Sequence, residues 1–331
     1  MESVPLPPAP KISVVTLTLG PSSLLVDVHG LEELPASTET ISCLWLHHPR
    51  LQTRAYMADI AARCISAWNE RQEETKSKRG LIALAWDQPN HGSRLTDPKK
   101  NDSWREGNET HAEDMFASIV QMVRDQKGLL DSIDALLAEK APGKKADQHL
   151  ALGVSLGGHS VWQTMFAEPR VTADLLTDRA RLTKLSTYTV DSGASFLGSQ
   201  HFPTSLVQSC LENDPKGIFF GTSPVPDTSV PADAKAHKIL HDRLRGKKFL
   251  LCSGGADKLV PYRCAEPFLT WFKQLTGNWY PEEGVLVDDR VYEGVGHSFS
   301  ADMVRDSVRF VLEVMSEAEK SAARGASPSK I

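Results

Sequence analysis

The chain has 331 residues, with 42 acidic against 37 basic side chains and a formal net charge of −5. That balance, with the basic residues scattered rather than striped, argues against a nucleic-acid-binding face, and the length suits one large domain or a domain with a cap. Five cysteines lie without CxxC or Cys/His zinc spacing. Cys43 and Cys252 sit inside apolar runs, so the set reads as core thiols of a reducing compartment.

"MESVPLPPAPKIS" has no apolar core of a secretory signal, and no stretch reaches the length of a membrane span. A cytoplasmic protein is expected. The final Ser-Lys-Ile comes close to the Ser-Lys-Leu peroxisomal address, which makes the peroxisome the second expected compartment.

In chain order, "ISVVTLTLG" and "SSLLVDVHG" predict two short strands joined by a Gly-Pro turn. "TISCLWLHHP" predicts a third, more fully apolar. A helix follows, with Met57, Ile60, Ala61, Cys64, Ile65 and Trp68 at 3.6-residue spacing. "GLIALAWDQ" is a buried strand. The next helix carries Met115, Ile119, Met122, Val123, Leu129, Ile133, Leu136 and Leu137 on one stripe. "HLALGV" is a strand and "LGGHSVWQTMFAE" a helix. Near the end come a strand in "KKFLLCSGG", a helix in "PYRCAEPFLTWFKQL", a strand in "VDDRVYEGVG" and a last helix with Val304, Val308, Val311, Leu312 and Met315.

Near-continuously apolar strands alternating with amphipathic helices predict a mostly parallel, doubly wound α/β sheet with helices on both faces. Residues 193–246 break the rhythm with "GSQHFPTS", "GTSPVPDTSVP" and a polar helix near "ADAKAHKILHDRLRG". They predict a small cap after the sixth strand position. The expected division is a core over 1–192 and 247–320, the cap, and a flexible tail over 321–331. After Pro169 the chain reads "RVTADLLTDRARLTKL", where Asp174 and Asp178 interrupt the apolar run. The sixth strand is therefore expected to be short, late or absent, with "LSTYTVDSG" (185–193) as the next candidate.

Gly153-Val154-Ser155-Leu156-Gly157 matches G-x-S-x-G. It follows an apolar strand and opens an amphipathic helix, as a strained nucleophile elbow requires. Glycines two before and two after the serine remove Cβ atoms that would clash with strand and helix. A serine needs a base, and the base needs a third group to hold it. Asp257, in the Gly-rich turn of "SGGADKLVP", and His297, in "GVGHSF", each lie just past a later strand, in the chain order Ser, Asp, His. Asp191 is a rival acid one strand earlier. His47, His48, His91, His111 and His159 lie near strand ends or helix starts, but their spacing makes no ligand set and no metal is expected.

These three motifs resemble the α/β-hydrolase superfamily over residues 40–315, most nearly its esterase and prolyl-oligopeptidase-like branches. "WDQPNHGSR" is similar to the D-x-x-G-H-G-x-S loop found there, with Pro89-Asn90 in place of the usual pair. The resemblance implies an α/β-hydrolase fold and a Ser-His-Asp hydrolase without metal or organic cofactor.

Two oxyanion donors are expected. The Leu156 N–H is one. The other should come from the loop after the third strand, but there Pro49 has no N–H; His48 is the expected substitute, with Arg50 or a side chain as alternatives. The pocket is expected to include His47, Asn90 and His91, with Phe196 and Phe202 from the cap. Phe219 and Phe220 either join them or glue the cap to the sheet. The expected activity is hydrolysis of a carboxylic ester, thioester or lactone of a small to medium, partly apolar substrate. A peptidase, an acyltransferase or cyclase, and a non-catalytic binding protein are the alternatives.

Overall fold

The computed structural model describes residues 4–177 and 197–325. Strands β1 (Val14–Leu19) and β2 (Leu24–His29) form a hairpin whose turn closes with Ser23 N–H donating to Gly20 O, 3.1 Å. β3 (Thr40–His47) is followed by α1 (Ala58–Thr75). Ile60, Ala61, Cys64, Ile65 and Trp68 form the buried stripe of α1. The helix stops at Lys76, which turns left-handed and returns its N–H to Gln72 O. Trp68 is fully buried and donates its indole N–H to Arg79 O at 2.8 Å; truncating such a side chain costs about 3–5 kcal/mol.

β4 (Arg79–Trp86) leads through an irregular loop to α2 (His111–Leu130) and α3 (Ile133–Lys140). The one long stripe expected here is two helices. The break falls at Asp131-Ser132, where the Ser132 hydroxyl donates to Gly128 O at 2.9 Å and so competes with the helical ladder. Met122, Leu129, Ile133, Leu136 and Leu137 nevertheless enter the same core.

β5 (Lys145–Val154) runs into α4 (Leu156–Ala167), and β6 (Val171–Thr177) follows at once. The sixth strand is thus present and early, contrary to expectation. It pairs in parallel with both β5 and β7 despite Asp174, which is fully buried within it. The alternative at 185–193 lies outside the described residues.

Of the insertion, α5 (Thr204–Asn213), α6 (Pro215–Phe220) and α7 (Ala234–Leu244) are described. Leu240 and Leu244 of α7 are fully buried in the main core, so this helix belongs to the layer covering the sheet. β7 (Lys248–Gly254), α8 (Glu266–Gln274), β8 (Leu286–Tyr292) and α9 (Ala301–Gly325) complete the chain, α9 running past the expected start of the tail.

The eight strands lie in the order β1-β2-β4-β3-β5-β6-β7-β8. β1 and β2 are antiparallel to their neighbours, and every pair from β4 to β8 is parallel. Side-chain alternation splits the core in two. Cys43 and Trp45 of β3 face α3, α4, α7 and α8, whereas Leu44 and Leu46 face α1 and α9. Among the described residues no helix is long and apolar enough to cross a membrane. The parallel strands all point their carboxyl ends to one edge, and there the loops after β3, β5, β7 and β8 meet.

Candidate active site

The turn from β5 to α4 is strained. Ser155 has φ 53° and ψ −114°, a conformation that costs a non-glycine residue about 1–3 kcal/mol. Tight packing holds it there. A Cβ on Gly153 would overlap the carbonyl of Gly157, and one on Gly157 would overlap the carbonyl oxygens of His47 and His48. The first turn of α4 is thereby pressed against β5 and the end of β3, and the serine is lifted above the sheet edge.

Two later loops bring its neighbours. Gly255 N–H donates to Tyr292 O (2.8 Å) and Ala256 N–H to Val295 O (2.9 Å), which zips the loop after β7 to the loop after β8. Across that zip the His297 Nδ1–H donates to Asp257 Oδ2 at 2.8 Å, and the Ser155 hydroxyl donates to His297 Nε2 at 2.9 Å. Asp257 Oδ1 accepts from the backbone N–H groups of Leu259 (2.7 Å) and Val260 (2.9 Å). Burial alone would raise the Asp257 pKa, but those N–H groups and the His297 imidazole outweigh it and hold the carboxyl below its ordinary range. Its side chain is fully buried, while the His297 side chain keeps 28% exposure. The rival Asp191 lies outside the described residues.

Beside Ser155 opens a cavity of about 140 Å³. Leu156, Met115, Phe116, Ile119 and Phe202 supply much of its wall, together with Trp104, Leu259 and Val260. Arg50, His111 and His159 are its basic members. Of the residues expected to line the pocket, Phe202 does so. Phe196 lies outside the described residues. His47, Asn90 and His91 do not reach the cavity, each for a visible reason.

His47 is fully buried beneath α4, with Nδ1 on the Ser160 hydroxyl (2.7 Å) and the Nε2–H donating to Gln126 Oε1 (2.7 Å). Burial pushes its pKa down to about 3, so it is a neutral structural bridge. Asn90 takes a left-handed turn at φ 60° and shapes its own loop, its Oδ1 accepting from Thr96 N–H (3.0 Å) and Asp97 N–H (2.8 Å). The His91 ring folds back to Pro89 O (2.9 Å) and packs edge-on against His48. Phe219 and Phe220 also stay away from the cavity. They pack on Trp271 with ring centroids 5.0 and 4.6 Å apart, gluing α6 to α8.

The His48 side chain is equally committed. Its Nδ1–H donates to Pro49 O (2.8 Å), its Nε2 accepts from Gln88 N–H (2.9 Å), and its carbonyl accepts from the Gln88 amide. Only its backbone N–H is left to consider as a donor.

Arg50, Trp104, His111, Met115, Phe116, Ile119, Leu259 and Val260 were not foreseen as pocket walls. Met115 and Ile119 sit on a stripe that reads as sheet-facing core. In fact Phe116 and Ile119 join Leu156, Phe202 and Leu206 in a separate cluster. The first turns of α2 overhang the sheet edge, and a periodicity cannot show where the sheet ends.

Among the described residues one group has donors placed for a cation. His237, Glu282 and Glu283 offer ligand atoms within 4.8 Å of one another. His237 and His241 are four apart on α7, an H-x-x-x-H spacing visible in the sequence that the search for ligand sets among the strand-end histidines misses. These residues sit at the opposite, amino edge of the sheet.

No family model matches this sequence, and no curated protein matches it. Solved structures match along most of the chain. TT1662 from Thermus thermophilus is 18% identical with a TM-score of 0.55, covering 92% of this chain and 99% of that one. An S-formylglutathione hydrolase from Agrobacterium tumefaciens is 13% identical with a TM-score of 0.50, covering 91% and 94%. An acylaminoacyl peptidase from Pyrococcus horikoshii is 11% identical with a TM-score of 0.50; the match covers 95% of this chain but only 42% of the peptidase.

Proposed function

We infer that this chain, which has the α/β-hydrolase fold, is a serine hydrolase acting on a carboxylic ester of a small to medium, partly apolar substrate. The observation that supports this best is the unbroken hydrogen-bonded row from Ser155 Oγ through His297 to the buried Asp257 carboxylate, at the mouth of an apolar cavity.

In this reading His297 Nε2 takes the Ser155 proton as Oγ attacks the ester carbonyl. The imidazolium formed is stabilised by Asp257, which also fixes the ring with Nδ1 protonated. The proton passes to the departing alcohol, and water releases the acyl group by the same route in reverse. Leu156 N–H, at the start of α4, and His48 N–H are the proposed oxyanion donors, and the helix terminus favours the developing negative charge. Of the expected cap, the part before α7 is proposed to cover the pocket, with Phe202 as its contribution.

Kinetics with p-nitrophenyl butyrate and the half-ester mono-p-nitrophenyl glutarate, beside a panel of proline-containing peptides, test the reading. Saturable ester hydrolysis that disappears in Ser155→Ala supports it. Peptide turnover exceeding ester turnover would move the assignment to a peptidase. No turnover of either class would favour a binding protein.

A further inference from the structure

The cavity wall is unbalanced in charge. Among the described residues lining it there is one guanidinium, Arg50, and two imidazoles, and no carboxylate. Arg50 is half-buried and, among the described residues, makes no ion pair, although the exposed Glu106 carboxylate lies near enough to feel its charge; its hydrogen bond runs from Nη1 to Asn101 O at 2.5 Å. That carbonyl is itself fixed, because the Asn101 amide donates to Asn90 O (2.7 Å) and Asn90 is locked by its own loop. The guanidinium is therefore held at the cavity by a single neutral acceptor, with further N–H groups uncommitted to any carboxylate. Other partly buried arginines of this protein are treated differently. Arg54 pairs with Asp27 and Asp87, Arg79 with Asp147, Arg94 with Asp125 and Arg170 with Glu168.

We propose that Arg50 is the receptor for a carboxylate carried by the substrate, so that the hydrolase takes monoanionic half-esters rather than neutral ones. This rests on the reading of the cavity as the substrate pocket. An arginine fork pairs with a carboxylate through two parallel hydrogen bonds, and the weak local dielectric of apolar walls strengthens the attraction. One guanidinium matches one negative charge, which favours a carboxylate over a doubly charged phosphate monoester. The apolar residues Met115, Phe116, Ile119 and Phe202 then cover the hydrocarbon between the carboxylate and the ester. Arg50 lies in the loop after β3, three residues beyond the end of that strand, so it enters the pocket from the oxyanion side. Recognition and catalysis are thus carried by different loops.

The test is equilibrium binding, which does not depend on turnover. Calorimetry at neutral pH and low salt compares hexanoate with its neutral isostere hexanamide on the full-length protein, on Arg50→Met and on Arg50→Lys. The wild type is expected to bind hexanoate about tenfold to a hundredfold more tightly than hexanamide. In Arg50→Met that preference should vanish while hexanamide affinity stays within about twofold, and Arg50→Lys should keep part of it because it retains the charge but not the fork. Equal binding of the two ligands by the wild type, or absence of hexanoate binding, overturns the proposal. So does an equal loss of both ligands in Arg50→Met that Arg50→Lys shares. If the preference is found but neither p-nitrophenyl butyrate nor the half-ester mono-p-nitrophenyl glutarate is hydrolysed, the carboxylate site stands and the hydrolase reading falls.

Discussion

Two His–carboxylate pairs stand at opposite edges of the sheet. At the carboxyl edge His297 bonds Asp257 at 2.8 Å; at the amino edge His237 and His241 bond Glu283 at 2.9 and 3.0 Å. Both carboxylates are buried, and both are held below their ordinary range against the opposing effect of burial. The second nitrogen of the first pair makes the difference. His297 Nε2 meets a hydroxyl on a strained elbow beside a cavity, whereas the His237 ring stacks on Tyr280 with centroids 3.9 Å apart and ties α7 to the turn before β8. The pair motif alone does not mark a site. A nucleophile and room for a substrate have to be supplied by neighbouring elements.

Substitutions can break this comparison in descending order of effect. His297→Ala should lower kcat for an ester by roughly 10,000-fold or more, while His237→Ala should leave kcat/KM within about twofold. Comparable losses in the two variants would erase the distinction between the edges.

Asp257→Asn retains an oxygen for the Leu259 and Val260 N–H groups but presents the wrong partner to Nδ1–H, so kcat should fall by about 10,000-fold without unfolding. Circular dichroism on the same sample checks that the fold survives. Glu283→Gln should leave esterase kinetics unchanged.

The elbow itself can be probed by Gly157→Ala, whose methyl group would overlap the His47 and His48 carbonyl oxygens. A loss of about 2–4 kcal/mol in urea unfolding is expected, with activity falling as well. His47→Ala, which leaves Gln126 Oε1 without its partner in a buried site and opens a cavity beside Ser160, should cost a similar loss of about 2–4 kcal/mol.

The smallest effect concerns pH. Burial opposes ionisation of Glu283, but hydrogen bonds from His241 and His237 and their charges prevail, so its folded pKa lies below the unfolded one. A lowered carboxyl pKa gives stability that is full above the ordinary glutamate range and lost as pH falls through the folded value. The gap in urea midpoint between wild type and Glu283→Gln should therefore be widest near neutrality and close on acidification below about pH 4.5, the ordinary value. A gap that widened in acid would show that the pair destabilises the fold.

Most strands and helices were legible because burial imposes a period on them, as on α1, where the expected stripe from Ile60 to Trp68 is buried and Met57, also buried, sits in the turn just before the helix. β6 was not, because Asp174 sits fully buried in the middle of it and a charge there breaks the apolar run. The neighbouring Lys247 is buried as well, its pKa lowered to about 8 by burial against the pull of Asp174 and Glu168. The row Ser155, Asp257, His297 was readable because each follows a strand and because glycines mark the close approaches. The pocket was harder to read. Asn90 and His91 have the composition of site residues, yet the Asn90 amide and His91 Nδ1 bond within their own loop, while Met115 and Ile119 look like core and face the cavity instead. Those assignments depend on where one helix overhangs the sheet, which is a distance in space and not a spacing in sequence.

The most direct measurement is covalent labelling with a fluorophosphonate, with the modified peptide mapped by mass spectrometry. A single adduct on Ser155 in the folded wild type is expected, absent after heat denaturation and slowed by orders of magnitude in His297→Ala. A folded protein in which Ser155 stays unmodified, or is modified equally fast without the imidazole, would contradict the assignment of Ser155 and His297 as nucleophile and base.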